Sequence, residues 1–260
     1  HLEVRQLGGI NYSSIEGEGV TIHTRDGRKY RGMVICKSHS VHVFDDARTA
    51  PRDELHMEVI LHEDVKSKED VMNLGIDHGD VISIDPHFEY TPSGYVKSRF
   101  IDDKAAVAAL FEMIAYFKRN NLKPKYRTLL AFPLYEEIGH GGAYVPEEVS
   151  EYVALDIGLI GPDYHGNETT VSICAKDNYS PYDRGLTNRI ILQAKKANLN
   201  YCVDVFYRYG TDANAAIRAG NNVYAAAFGM ACINSHGMER CHISAIEETA
   251  KLAIAYALDI

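Results

Sequence analysis

Tryptophan is absent from this chain of 260 residues, and so is any long apolar run. A membrane-crossing helix needs roughly 20 consecutive apolar residues, so no membrane span is expected. The first residues lack the charged, apolar and small-residue succession of a secretory leader. No run of lysine and arginine occurs, and the formal net charge is -9. Nucleic-acid partners demand basic faces, so none is expected. The cysteines Cys36, Cys174, Cys202, Cys232 and Cys241 are odd in number and never spaced C-x-x-C. They read as free thiols of a cytoplasmic protein. No internal repeat or low-complexity stretch is present. Methionine is missing at position 1, and His1 to Arg5 reads as the middle of a strand, so upstream sequence is expected.

What is there begins with composition. At 46% hydrophobic, the chain can bury a sizeable core. Residues 1–88 are strand-like and rich in turns. Val20–His23 and Tyr30–Val34 flank Arg25-Asp26-Gly27-Arg28, and an Asp-Gly pair between alternating runs predicts a hairpin. Val41–Phe44, Glu58–Leu61 and Val81–Ile84 predict further strands. Ser67–Leu74 predicts a helix capped by Ser67, with Glu69 and Asp70 in its first turn. The segment reads as a small β-barrel or sandwich, and its histidines, from His23 to His87, read as solvated surface.

Beyond Asp85-Pro86 the pattern alternates. Helices are predicted over Lys104–Lys118, Thr187–Ala197, Asp212–Ala219 and Ala245–Leu258. Strands are predicted over Arg127–Leu134, Tyr152–Leu155, Tyr201–Tyr207 and Val223–Phe228. Such alternation predicts an α/β layered sheet over residues 89–260.

The chemistry concentrates at the junctions of these elements. Arg127–Leu134 runs into Tyr135-Glu136-Glu137-Ile138-Gly139. Adjacent carboxylates at the end of an apolar strand repel each other and resist burial. A cation is the simplest compensation, one carboxylate binding it and the other serving as a base. Asp102-Asp103 precedes a helix, Asp156 ends a strand, and His242 precedes the last helix. Ligands of open α/β sheets bind beyond the carboxyl ends of strands. Asp102, Glu137, Asp156 and His242 are therefore candidates to converge on Zn²⁺ or a similar ion. Each has a plainer alternative: a helix cap for Asp102-Asp103, a solvated loop pair for Glu136-Glu137, a turn residue for Asp156, a solvated residue ahead of a Ser244 cap for His242.

The strings Lys97-Ser98-Arg99-Phe100-Ile101-Asp102-Asp103-Lys104, Glu136-Glu137-Ile138-Gly139, Ala154-Leu155-Asp156-Ile157-Gly158 and Arg240-Cys241-His242-Ile243-Ser244 occur in that order. With Leu7-Gly8-Gly9 and Gly210-Thr211-Asp212-Ala213, they resemble the tetrahedral (TET) aminopeptidases over essentially the whole chain. The resemblance implies a layered α/β/α zinc-peptidase catalytic domain with an inserted small β-barrel used in assembly. It implies a cytosolic metallo-aminopeptidase that removes N-terminal residues from peptides and forms a homo-oligomer, a tetrahedral dodecamer. The cofactors implied are two divalent ions per subunit, zinc or cobalt, or else manganese.

Asp102 would bridge the two ions, and the Asp102–Asp103 peptide would be cis. Glu137 and His242 would hold one ion and Asp156 the other. Glu136 would be the general base, and Thr211 and Asp212 would lie near the substrate. The family's remaining ligand comes from a His-x-Asp motif upstream of the insertion. Here His1-Leu2-Glu3 aligns with a barrel strand, so that motif is expected in upstream sequence, and this piece alone is expected to be marginally stable. Two rivals remain open: a glycosidase using Glu136 with a second carboxylate, and a non-catalytic assembly subunit. A glycosidase would need no metal.

Overall fold

The computed structural model describes residues 1–260, which divide into two compact units, His1–His87 and Phe88–Ile260. The first unit holds β1 (Leu2–Glu3), β2 (Gly19–His23), β3 (Lys29–Cys36), β4 (Met57–Leu61), the short helix α1 (Lys68–Asn73) and β5 (Val81–Ile84). These strands form one antiparallel sheet in the order β1-β4-β3-β2-β5. The ladder is open at β1 and β5 rather than closed into a ring. Asp26-Gly27 makes the β2–β3 turn, with Gly27 at φ +86, where a side chain would be strained. Alternate residues Val20, Ile22, Val34 and Val59 point into the core of this unit. Ser67 caps α1 by accepting from the Asp70 amide, and the Asp70 side chain returns a bond to the Ser67 amide.

Val41–Phe44 is not a strand. The Ser40 carbonyl accepts the amides of both Val43 and Phe44, and the Ser40 hydroxyl accepts that of His42. A serine that engages its neighbours' amides offers the backbone a turn in place of a ladder, and Val41 and Val43 stay exposed.

The second unit opens with β6 (Glu89–Tyr90) and β7 (Tyr95–Ser98), followed by α2 (Ile101–Arg119). Then come β8 (Glu151–Leu155), β9 (Gly158–Leu159), β10 (Val171–Lys176), α3 (Arg184–Lys196), β11 (Tyr201–Val205), α4 (Asp212–Arg218), β12 (Tyr224–Cys232), β13 (Glu239–His242) and α5 (Ile243–Leu258). The main sheet runs β11-β10-β12-β8, and β9 continues alongside β12. It is mixed: β8 is parallel to β12, whereas β10 is antiparallel to it.

Strand β12 shows why the unit is layered. Ala226 and Phe228 pack with Met113, Leu186, Ile190 and Leu252 from α2, α3 and α5. Ala225 and Ala227 pack on the opposite face with Tyr182, Phe206 and Ala213 of α4. An apolar strand with both faces covered lies between helical layers.

The strand expected over Arg127–Leu134 is absent. These residues carry no ladder, and Leu129 and Phe132 are 49% and 42% exposed. Apolar patterning marks what can be buried, but a strand exists only with a hydrogen-bonded neighbour. Beside β8 the main sheet ends, and this stretch does not pair there.

Candidate metal centre

Three polypeptide junctions of the second unit build the site. The first is the start of α2. Asp102 (ψ 105) and Asp103 (φ −117) depart from helical geometry, so the regular helix begins at Lys104, and the Asp102–Asp103 peptide is cis. The second is a single 3₁₀ turn, Glu136–Ile138, ended by Gly139 at φ 83. The third is the loop between β12 and β13, where Asn234 and His236 both have positive φ. Asn234 and Gly237 close that loop by hydrogen bonds to Met238 and Asn234.

These junctions bring Asp102, Glu137 and His236 together, with one donor atom from each lying within 4.8 Å of the others. His236 Nε2 is 3.4 Å from Asp102 Oδ2 and 3.5 Å from Glu137 Oε2. Asp102 is nearly enclosed, whereas Glu137 and His236 keep 48% and 40% of their side chains open. The group is thus rooted in the protein on one side and reachable from solvent on the other.

Asp156 ends β8, is 4% exposed, and has its carboxyl pushed well up by burial and by the charges of Asp102, Asp103 and Glu136. A Cβ on Gly229 would collide with the Asp156 backbone, so a glycine on β12 permits β8 to deliver this residue. Burial and Asp102 raise Asp103 to about 9. Burial and Glu137 raise Glu136 to about 8, and burial and Asp102 raise Glu137 to about 7. The hydrogen bond with Asp102 raises His236 to about 9 in spite of partial burial.

Burial is the largest cause for these carboxyls, and crowding of like charge adds to it. Two ionised carboxylates near 4.8 Å repel by about 3–4 kcal/mol at an effective dielectric of 20. Asp102, Asp103, Glu136, Glu137 and Asp156 crowd together, with His236 and Lys104 as the opposing cations at Glu137. Asp103 Oδ1 is buried without a donor, and burial and Glu137 oppose charge on the Glu136 carboxyl. Mixed carboxylate and imidazole donors, with an orphaned buried oxygen beside them, fit a divalent cation.

His242 is elsewhere. It caps α5, with Nδ1 2.7 Å from Ser244 Oγ and Nε2 3.0 Å from the Ser93 carbonyl, and its ring meets Tyr95 edge-on. The imidazole that reaches the carboxylates is His236, which the sequence reading passed over. The strand expected over Val223–Phe228 runs on to Cys232, and only that extension brings Ser235-His236-Gly237 just past a strand's carboxyl end. That is the same placement that singled out Glu136 and Asp156.

Thr211 and Asp212 are buried at the start of α4. Thr211 Oγ1 meets the Ala213 amide and the Tyr182 hydroxyl, and Asp212 Oδ1 accepts the Gly142 amide at 2.8 Å. A Cβ on Gly141 would lie 2.5 Å from Asp212 Oδ2. The Gly-Gly turn therefore docks on Asp212 and anchors the loop that carries Glu136 and Glu137.

The model of the M42 glutamyl aminopeptidases matches residues 1–252. The chain belongs to that family. As an M42 peptidase it is a hydrolase, an aminopeptidase, of a metal-dependent family. Putative aminopeptidase YhfE of Bacillus subtilis (strain 168) is 40% identical over 256 residues, spanning 98% of this chain and 74% of that protein.

Among solved structures, the TET1 peptidase of Pyrococcus horikoshii, described as assembling into a tetrahedron or a large octahedral shell, superposes with a TM-score of 0.79. Its identity is 23%, over 98% of this chain and 76% of that one. The TET aminopeptidase from the marine sediment archaeon Thaumarchaeota archaeon SCGC AB-539-E09 gives 0.79 at 18% identity, over 97% and 73%. At such identities these likenesses speak for the fold of this M42 chain. No helix of the M42 chain is long and apolar enough to cross a membrane.

Proposed function

We propose that this M42 chain removes N-terminal residues from peptides at a dinuclear metal site in which Glu136 is the general base. The observation that carries the reading is the convergence of Asp102, Glu137 and His236 on one point, with Asp156 buried beside Asp102. In this reading Asp102, Glu137, His236 and Asp156 would hold the ions, with Asp102 shared between them. His236 takes the part that sequence alone gave to His242.

Bound there, zinc, cobalt or manganese supplies Lewis-acid polarisation of the scissile carbonyl and acidifies water. Glu136, half-buried at the site, would be the group that accepts a proton from water and passes it to the leaving amine. Glu137 and Asp156 complete the donor set around Asp102. Asp212 holds the Gly141-Gly142 turn and so keeps both glutamates at the site. Thr211 Oγ1 and Asp212 Oδ1 are engaged by protein groups and so serve the framework of the site.

The first unit is the inserted assembly domain in this reading, and the working particle is a cytoplasmic homo-oligomer, a tetrahedral dodecamer. The test is a panel of aminoacyl chromogenic substrates run before and after chelation. Hydrolysis of at least one substrate, lost with chelator and restored by zinc or cobalt, is expected. Hydrolysis untouched by chelation would contradict the metal reading.

A further inference from the structure

One buried carboxylate reaches two of the cluster's backbones at once. Glu239 begins β13, opposite Ser98 of β7, and is 1% exposed. Its Oε1 accepts the His236 amide at 3.0 Å, and its Oε2 accepts the Asp102 amide at 2.9 Å. The two donors belong to distant parts of the sequence. The residues that carry them are the same ones whose side chains face each other 3.4 Å apart.

We propose that Glu239 is a positioning residue that sets the spacing between Asp102 and His236 and thereby the affinity of the site for its cation. The inference rests on the metal reading above.

Three observations bear it. First, both clamped residues need support. Asp102 follows Phe100 at φ 64 and is itself non-helical, and His236 has φ 63. A histidine in the left-handed region costs free energy unless its surroundings fix it. The turn that carries it is held at its base by reciprocal Ile233–Arg240 amide-to-carbonyl bonds, and at its tip by Glu239.

Second, a carboxylate is an expensive choice at this position. The carboxyl is 1% exposed and lies beside Asp102, so both burial and a neighbouring acid oppose its charge. A site that needed only packing would be cheaper with an apolar residue. What a carboxylate offers is two acceptor oxygens at a fixed separation, one for each amide. Glutamine would present an NH2 group to one of the two N–H donors.

Third, geometry of this precision matters at a cation. Groups that orient a metal's ligands from behind typically change metal affinity by about 10–100-fold when lost.

The test is Co²⁺ titration of the metal-free full chain by calorimetry and visible absorption, with circular dichroism to confirm folding. In Glu239→Gln, Co²⁺ affinity is expected to fall about 10–100-fold, with an altered cobalt spectrum. Asp204→Asn is the control. Asp204 is also a buried carboxylate that accepts a backbone amide, that of His165 at 2.8 Å, together with the Cys202 thiol, but it touches none of the cluster. It should lose stability and keep wild-type affinity and spectrum.

Wild-type affinity and spectrum in a folded Glu239→Gln would overturn the proposal, as would an equal loss in Asp204→Asn. If Glu239→Gln does not fold, Glu239→Asp decides in the same way. It keeps the charge but is one methylene too short to reach both amides, so wild-type affinity there also overturns the proposal. Undiminished Co²⁺ binding in His236→Ala would instead sink the metal reading itself, which separates the two failures.

Discussion

Asp177 and Asp103 lie in one unit, and both have oxygens withdrawn from water, yet their surroundings are opposite. Asp177 follows β10 and is fully buried. Its Oδ1 accepts the Tyr179 and Ser180 amides, and its Oδ2 accepts the Tyr182 hydroxyl. Asp103 has an enclosed oxygen with no donor and is surrounded by Asp102, Glu136, Glu137 and Asp212. A buried carboxylate supplied with donors is part of the framework. One that faces other carboxylates must keep its proton, as the rise of Asp103 to about 9 reflects, or be joined by a cation. In the metal reading, the difference separates a structural acid from an acid of the proposed site.

The comparison breaks first at Asp102. Asp102→Asn keeps shape and polarity but removes the charge nearest to His236. Metal content is expected to fall sharply and peptide hydrolysis to vanish, with the circular dichroism spectrum unchanged. Asp103→Asn should cost less, since in the metal reading that group supports the site without bridging it. Full metal content in Asp102→Asn would remove the distinction drawn between the two kinds of acid.

Next comes Glu136→Gln. Turnover should drop about 10²–10⁴-fold, as for loss of a general base, with metal content retained. Glu137→Gln should show the reverse emphasis, with metal occupancy falling first. Equal metal content in the two variants, measured by elemental analysis, would mean that the two glutamates share their roles.

The smallest effect belongs to the framework side. Asp177→Asn leaves buried amides facing an NH2 group and should cost about 1–3 kcal/mol of stability. Denaturant midpoints measure this, and metal content should stay at the wild-type level. A loss of metal in Asp177→Asn would place that aspartate on the wrong side of the comparison.

Much of the architecture was legible in sequence because each legible element carried a local signal. Asp26-Gly27 announced the β2–β3 hairpin, Ser67 and Asp70 announced α1, and the apolar faces of α2 and α5 announced their helices. What was misread depended on partners rather than on pattern. Leu129 and Phe132 are strand-like in type, but no neighbouring strand pairs with them. Val41 and Val43 alternate as a strand should, but Ser40 takes up the local amides. Strand β10, which no expectation covered, lies in the middle of the sheet as the run Val171-Ser172-Ile173-Cys174, too short to announce itself.

At the site, the acids at strand ends stood out because adjacent or terminal carboxylates are costly. The histidine did not. His242 lies just ahead of α5, beside recognisable neighbours, whereas His236 reaches the carboxylates only through the positive-φ turn of the β12–β13 loop. Sequence spacing cannot express that reach.

That exchange of histidines gives the most direct measurement: metal content of His236→Ala and His242→Ala, purified side by side with the wild type. His236→Ala is predicted to lose metal and activity while remaining folded. His242→Ala is predicted to keep its metal and to lose only about 0.5–2 kcal/mol of stability as the α5 cap is removed. Metal retained in His236→Ala and lost in His242→Ala would contradict the account.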